Sequence, residues 1–303
     1  MTNATEKPTK LLLHACCGPC SMEPVRLLRE RGIEPHVYYA NSNIHPQAEY
    51  DHRLETIRAW CAEERVAFAE GIYDAAAWEA TAGRVGDAAR ERFGVIAEVE
   101  SGSAGGAANA KARAEAPGAG GAADADACMA SGQTPNTEAA RAEAPSTGVA
   151  DPNMEAPSAG AGTPAVTDPR ANAQAAAARR ARCRACYRLR FEKAATAARE
   201  SGFDALGTTL TVSPYQYTDV IREELERAAE QAGIRAFFED YRPYYDEATR
   251  RSRAAGMYRQ NFCGCRFSEE EATVERETRK RARAEARARE AAAHASERAA
   301  AEA

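Results

Sequence analysis

Seven of the nine cysteines in this sequence lie in three short motifs. The motifs are Cys16-Cys17-Gly18-Pro19-Cys20, Cys183-x-x-Cys186 and Cys263-x-Cys265. The first ten residues lack the apolar middle of a secretory signal, and no apolar run approaches the roughly 18 residues that cross a bilayer. We therefore expect a cytoplasmic protein. Cytosolic reductants keep ordinary thiols reduced, so clustered cysteines there bind metal or carry out redox chemistry more often than they form disulfides.

The first two motifs can supply a metal centre. Cys16, Cys17, Cys183 and Cys186 provide four thiolates, enough for a 4Fe-4S cluster or a structural zinc site. Residues 16–20 stand between a predicted strand and a predicted helix, where the helix dipole lowers thiol pKa values and favours thiolates that can bind metal. The alternative is a set of inert buried thiols.

The third motif is suited to redox chemistry. A disulfide between Cys263 and Cys265 would close a very small, strained ring, and strained disulfides are easily reduced. Such a pair could store and deliver two electrons. Two further metal ligands, or thiols that only pack, are the alternatives.

The elements around these motifs alternate between strands and helices. Short apolar runs predict strands at residues 10–15, 35–40, 66–69, 205–209 and 235–238, and the intervening stretches predict helices at 21–32, 47–64, 184–201 and 218–232. This rhythm predicts an α/β fold with a doubly wound parallel sheet. Ligands of such sheets bind outside the carboxyl ends of the strands, where residues 16–20 lie.

The chain divides into one interrupted domain, an insert and a tail. Residues 10–100 and 183–270 form the predicted catalytic domain. The insert at 101–182 has no aromatic residue and is about two-thirds Ala, Gly, Pro, Ser and Thr, so we expect a disordered surface loop. Residues 275–303 are mostly Arg, Glu and Ala, which predicts a solvated helix.

The net charge of −5 excludes a protein that gathers nucleic acid through an overall positive field. Arginines and tyrosines nevertheless flank the second and third cysteine motifs. They could contact phosphates and stack on an unpaired base, or they could form an ordinary solvated surface. These residues are Arg179, Arg180, Arg182, Arg184, Arg188, Arg190, Arg250, Arg251, Arg253, Tyr187, Tyr244, Tyr245 and Tyr258.

Five stretches of the sequence resemble the QueH-type epoxyqueuosine reductases in the order in which that family carries them. They are Leu-Leu-His-Ala-Cys-Cys-Gly-Pro-Cys-Ser at 12–21, Asn-Ile-His-Pro at 43–46 with Glu49-Tyr50, Arg-Cys-Arg-Ala-Cys-Tyr-Arg-Leu-Arg at 182–190, Gly-Thr-Thr-Leu-Thr-Val-Ser-Pro-Tyr-Gln at 207–216 and Tyr-Arg-Gln-Asn-Phe-Cys-Gly-Cys at 258–265. The resemblance spans residues 11–268 without the insert. The insert and the tail depart from the family, which is usually compact.

The resemblance implies a fold akin to the adenine-nucleotide α-hydrolases. It also implies reduction of the epoxide of epoxyqueuosine, at the wobble position of tRNA, to the cyclopentene of queuosine. By the same resemblance, Cys16, Cys17, Cys183 and Cys186 ligate a 4Fe-4S cluster and an external low-potential donor supplies electrons. Cys263 and Cys265 are then the catalytic, redox-active pair.

The chemistry needs two electrons and two protons, whereas a cluster usually passes one electron at a time. The C-x-C pair could be the second carrier. Cys20 is left over from the four ligands, and our hypothesis is that it binds an additional metal ion that polarises the epoxide oxygen. The main rival function is a zinc-thiolate α/β module that binds RNA or protein without catalysis.

Other polar residues have both structural and functional interpretations. His14, on a buried strand, is more typical of a core histidine, or of one that supports the metal ligands, than of a metal ligand itself. His45 could protonate the departing oxygen or could stabilise its own loop. Thr208, Thr209, Ser213 and Tyr215 could bind substrate or could cap the following turn.

Overall fold

Five parallel strands form the centre of the fold. The computed structural model describes residues 10–97 and 169–301. Its strands are β1 (Leu11–His14), β2 (Pro35–Tyr39), β3 (Phe68–Glu70), β4 (Ala205–Thr208) and β5 (Arg235–Phe237). They pair in the order β3-β2-β1-β4-β5, and every neighbouring pair runs parallel. The prediction of an α/β fold with a parallel sheet is therefore confirmed.

Helices connect and cover these strands. In the described ranges they are α1 (Gly18–Glu30), α2 (Gln47–Glu63), α3 (Ala75–Trp78), α4 (Arg84–Phe93), α5 (Pro169–Glu200), α6 (Thr218–Ala232), α7 (Tyr245–Ala254) and α8 (Ser268–Ala301). A π-helical turn, Glu79–Gly83, joins α3 to α4. None of the helices described here has the length and apolar character that crossing a membrane requires.

Strand β1 is the central strand and is buried on both faces. Leu11 and Leu13 belong to an apolar cluster with α1 and α2, whereas Leu12 packs with α5 and α6 on the opposite face. Successive side chains of a strand point to opposite faces, so a sheet with helices on both faces needs a continuous apolar run here. The carboxyl end of β1 therefore opens between two layers of helices.

Helix α5 begins earlier than the sequence predicts. It starts at Pro169 rather than near Arg184, so the C-x-x-C pair lies inside a long helix and not at its start. Proline is tolerated in a first turn, and no Gly or Pro interrupts residues 171–183. Residues 169–182, which we assigned to the insert, thus belong to α5, while 101–168 lie outside the described residues.

Helix α1 also begins earlier than expected. Its N-cap residue is Cys17, which has an extended backbone, so the predicted start at residue 21 lies inside the helix. The Ser21 hydroxyl instead donates a hydrogen bond to the Cys17 carbonyl at 2.8 Å, one turn back. The free N–H groups of the first turn therefore lie directly beside the first cysteine motif.

Helix α8 is attached to α5 by buried ion pairs. Glu271 accepts two hydrogen bonds from Arg182, at 2.6 and 2.7 Å, and both side chains are nearly inaccessible to solvent. Arg179 pairs with Glu275 at 2.5 Å. From Lys280 onward, every side chain of α8 that the structure describes is exposed. The tail helix is thus packed at its start and solvated further along.

We expect Glu271→Gln to lower the free energy of unfolding by about 3–5 kcal/mol, because the buried Arg182 guanidinium loses its carboxylate. Glu285→Gln, in the same helix, affects only an exposed pair with Arg289 and should cost less than about 1 kcal/mol. Chemical denaturation followed by circular dichroism measures both changes. Equal effects of the two substitutions would contradict a structural role for the buried pair.

Candidate metal and redox site

The first cysteine motif follows the central strand β1, at the point where the strand order of the sheet reverses. Connections leave β1 for β2 on one side, and β4 pairs with β1 on the other. Segments that follow β1 and β4 therefore meet at the carboxyl edge: the Cys16 Sγ lies 4.0 Å from the Thr209 Oγ1. This switch point is the usual ligand-binding crevice of an open α/β sheet.

Three thiols converge within this motif. The sulfur atoms of Cys16, Cys17 and Cys20 all lie within 4.8 Å of one another. Hydrogen bonds from the other two thiols hold the pKa of Cys16 well below its usual value. Burial raises the pKa of Cys17 to about 12. The arrangement therefore favours one thiolate stabilised by two neighbouring thiols, a donor set that suits a soft metal ion.

All three cysteine motifs reach one cavity of about 370 Å³. Cys183 and Cys186 are three residues apart in α5, so both thiols lie on the same face of that helix. Six of the seven motif cysteines line the cavity; Cys17 is buried next to Cys16. The lining cysteines are Cys16, Cys20, Cys183, Cys186, Cys263 and Cys265.

The cavity fits a metal-sulfur group. Its thiols are soft donors from separate segments, and Trp78 contributes an indole N–H that is buried. Among the described residues that N–H makes no hydrogen bond of regular geometry, and it interacts with the Cys186 thiol, whose thiolate form it favours. Metal-bound sulfur atoms accept hydrogen bonds of this kind.

The C-x-C loop is held by side chains and backbone from the other half of the chain. The Cys263 carbonyl accepts hydrogen bonds from Arg53 at 3.1 Å and from Asn43 at 3.4 Å. The backbone N–H of His45 donates to the Gly264 carbonyl at 2.8 Å. The Asn-Ile-His-Pro segment thus positions the proposed redox pair, and His45 is not among the cavity-lining residues.

Gly264 is required between the two cysteines. Its φ of +111° is a conformation that side chains rarely adopt, and a Cβ would lie 2.8 Å from Ile44 Cγ1. Arg53 packs beside it and is fixed by Glu49, which accepts its Nε–H at 2.6 Å and the Tyr258 hydroxyl at 2.7 Å. We did not predict this role of Arg53 from the sequence, although its spacing of four from Glu49 is typical of an ion pair on a helix.

Cys263 and Cys265 are free thiols whose sulfur atoms lie 3.6 Å apart. No disulfide is formed by the cysteines that the structure describes. The hydrogen bond from Cys265 holds the pKa of Cys263 well below its usual value, and the same contact raises the pKa of Cys265. The exposed Cys263 is therefore the more nucleophilic thiol of the pair.

The predicted arginine patch is divided between buried and exposed groups. Arg182 and Arg190 are buried and bind partners inside the protein, Arg182 the Glu271 carboxylate and Arg190 the Asn41 side chain. Five half-buried or exposed members are also paired: Arg184 and Arg188 bind Glu224, Arg180 binds Asp219, Arg250 binds Glu247 and Arg251 binds Glu23. Arg253 is exposed, and none of the ion pairs among the described residues involves it. Most of this patch attaches helices to one another.

Several other predicted residues have defined positions. His14 is fully buried and its Nδ1 lies 3.1 Å from the Thr208 Oγ1, as expected for a core histidine. Burial lowers the pKa of His14 to about 3. Tyr187 and Tyr245 line the cavity, whereas Tyr258 stacks on His52 outside it.

These features define a class of protein: a parallel α/β domain with a thiol-lined cavity at its switch point. A sequence model described as "Epoxyqueuosine reductase QueH" matches residues 11–93 and 163–271. The chain therefore belongs to the QueH family.

Relatives named "Epoxyqueuosine reductase QueH" agree with this assignment. The protein from Dehalococcoides mccartyi is 22% identical over 262 residues, which are 86% of this chain and 93% of that protein. The protein from Thermotoga maritima is 37% identical over 89 residues, 29% of this chain and 46% of that protein. The Haemophilus influenzae protein is 41% identical over 69 residues, 23% of this chain and 28% of that protein. The last two matches span less than half of those relatives.

We expect iodoacetamide to alkylate Cys263 well before Cys265 in reduced, metal-free protein. A lowered pKa keeps the reactive thiolate present at lower pH, so alkylation of Cys263 should begin below the pH range of an ordinary cysteine. Cys265→Ala removes the hydrogen bond and should move this profile to higher pH. Peptide mass spectrometry measures both, with Cys61 as the slow reference because burial raises its pKa to about 12. A profile that does not move would show that Cys265 does not activate Cys263.

Proposed function

We propose that this protein reduces the epoxide of epoxyqueuosine in tRNA to the cyclopentene of queuosine. The reaction consumes two electrons and two protons and releases one water molecule. The observation that carries the proposal is the convergence of three cysteine motifs, distant in sequence, at one cavity in a QueH-family chain. The substrate is then a tRNA whose wobble nucleotide enters the cavity.

We assign the metal ligands to Cys16, Cys17, Cys183 and Cys186, a set that would hold a 4Fe-4S cluster. When bound, such a cluster supplies single electrons obtained from an external low-potential donor. Burial raises the pKa of Cys183 to about 12, so a thiolate there needs a compensating metal. We extend the proposal to an additional metal ion at Cys20, whose sulfur lies within 4.8 Å of those of Cys16 and Cys17.

We assign the two-electron step to Cys263 and Cys265. Oxidation of two thiols to a disulfide releases two electrons and two protons, which equals what removal of the epoxide oxygen consumes. The sulfurs are 3.6 Å apart, whereas a disulfide needs about 2.05 Å, so a small movement closes the bond. The external donor then reduces the strained disulfide back to two thiols.

The outer part of the cavity is suited to a nucleoside. Tyr215 is 55% exposed and meets Tyr245 edge to face, with 6.0 Å between the ring centroids. Ser213 and Gln216 line the same region and offer hydrogen-bonding groups. In our proposal the tyrosines contact an unstacked base while the polar groups bind its substituents.

We also propose that the fold is of the adenine-nucleotide α-hydrolase type and that the protein acts in the cytoplasm. The sheet order, with its switch between β1 and β4, supports the first statement. A tRNA substrate supports the second.

A zinc-thiolate module that binds RNA or protein without catalysis is the second candidate. Three thiols within 4.8 Å of one another would equally suit a zinc ion. Zinc is colourless and does not change oxidation state, so metal content and colour distinguish the two functions.

We expect Cys183→Ala to reduce bound iron and visible absorption of anaerobically purified protein by most of the wild-type value. Cys61→Ala is the matched control, because Cys61 is buried in α2 and belongs to none of the three motifs. Iron, sulfide and zinc analysis together with absorption spectra measure the outcome. Zinc without iron in the wild type, or equal iron in both variants, would contradict the ligand assignment.

We expect anaerobic protein with epoxyqueuosine-containing tRNA and a low-potential reductant to produce queuosine. Cys265→Ala should lower turnover by at least about a hundredfold while retaining bound iron, because it removes one carrier thiol but none of the proposed cluster ligands. Cys61→Ala should keep wild-type turnover. Nucleoside analysis by mass spectrometry measures the product. Absence of queuosine with fully loaded wild-type protein would refute the proposed function.

A further inference from the structure

Helix α8 carries a row of cations on one face. Residues 276–289 contain seven Lys or Arg and two Glu, in a chain whose net charge is −5. Spacings of three, four, seven and eleven residues place five of these cations on the same side of the helix. We call them the basic stripe: Arg276, Arg279, Lys280, Arg283 and Arg287.

The basic stripe begins at the cavity. Arg276 and Arg279 both line it. Arg276 donates a hydrogen bond to the Asn261 carbonyl at 3.2 Å, two residues before the C-x-C motif, and the Arg279 guanidinium lies 5.0 Å from the centre of the Tyr215 ring. From Arg276 to Arg287 the stripe extends roughly 16 Å along the helix axis. It therefore connects the mouth of the cavity with the exposed part of α8.

The part of the basic stripe beyond Arg279 presents charged groups to solvent and little apolar surface. Lys280, Arg283 and Arg287 are exposed. In this region of α8, the ion pairs among the described residues involve Arg279 and Arg289, and not these three. Alanine is the only apolar residue type between 280 and 292, so a hydrophobic protein interface is disfavoured. A ligand that complements such a row of cations carries several negative charges along its length.

We propose that the basic stripe binds the phosphate backbone of tRNA beside the nucleotide that occupies the cavity. The identity of that nucleotide rests on the proposed function, whereas the charge complementarity of the stripe does not. A duplex presents about one negative charge per 1.7 Å of its axis, so a stripe of this length faces several phosphates. The tail that departs from the compact family pattern thus acts as an arm that orients the substrate.

The test compares two double variants of the full-length, metal-loaded protein. Arg283→Gln/Arg287→Gln removes two charges from the stripe. Arg281→Gln/Arg289→Gln removes two charges from positions roughly 140° away around the same helix, so net charge and composition stay matched. Fluorescence anisotropy with labelled full-length tRNA at several salt concentrations gives the affinity and its salt dependence.

We expect the stripe variant to bind tRNA at least about tenfold more weakly at 100 mM salt, with a salt slope smaller by about 1.4–1.8. The control variant should stay within about twofold of wild type. If both variants weakened tRNA binding equally, the cations of α8 would attract RNA without regard to their position on the helix. If the stripe variant bound tRNA as tightly as wild type, the basic stripe would not contact the RNA. Either result overturns the proposal.

Reductase activity separates this inference from the proposed function. If the wild type formed no queuosine but its tRNA binding still depended on the stripe, the proposed function would be refuted and the proposed RNA-binding role of α8 would stand. If the stripe variant bound tRNA as tightly as wild type and turned over normally, the proposed function would stand and the RNA-binding role of α8 would be refuted.

Discussion

The architecture depends on the burial of β1 at the centre of a parallel sheet. Because parallel strands end at the same edge, the segment after β1 must emerge beside the one after β4, and Cys16 lies 4.0 Å from Thr209 at that point. The face of β1 that carries Leu12 is covered by α5, and Cys16 and Cys183 both border the apolar cluster formed there. Apolar packing therefore brings the first two cysteine motifs together, and no polar contact between them is needed.

The third motif is positioned by a different kind of interaction. Its loop has no regular secondary structure, so its backbone carbonyl groups are satisfied by Arg53 and Asn43 and its conformation depends on Gly264. The buried Arg53 is in turn neutralised by Glu49. The loop after β2 and helix α2 thus fix the conformation of the C-x-C loop. This explains why the Asn-Ile-His-Pro segment accompanies the cysteines although His45 does not line the cavity.

Short-range sequence patterns were enough to predict the strands of the sheet but not the polar contacts between distant segments. Each predicted strand overlaps an observed one, because apolar runs and turn residues act over a few positions. Helices α3, α4 and α7 escaped prediction because they have only four, ten and ten residues, too few for an apolar repeat to recur over several turns. Two of the buried arginines have partners far along the chain: 89 residues separate Arg182 from Glu271, and 149 separate Arg190 from Asn41. A run of arginines therefore looks like a nucleic-acid patch in the sequence, while the folded chain uses much of it internally.

The central claim is that thiols from separate segments hold iron in one cavity. Anomalous diffraction at the iron edge, from crystals grown without oxygen, tests it most directly. We predict an iron peak bonded both to the cysteines that follow β1 and to Cys183 and Cys186 of α5. A peak bonded to only one of these segments, or zinc in place of iron, would contradict it.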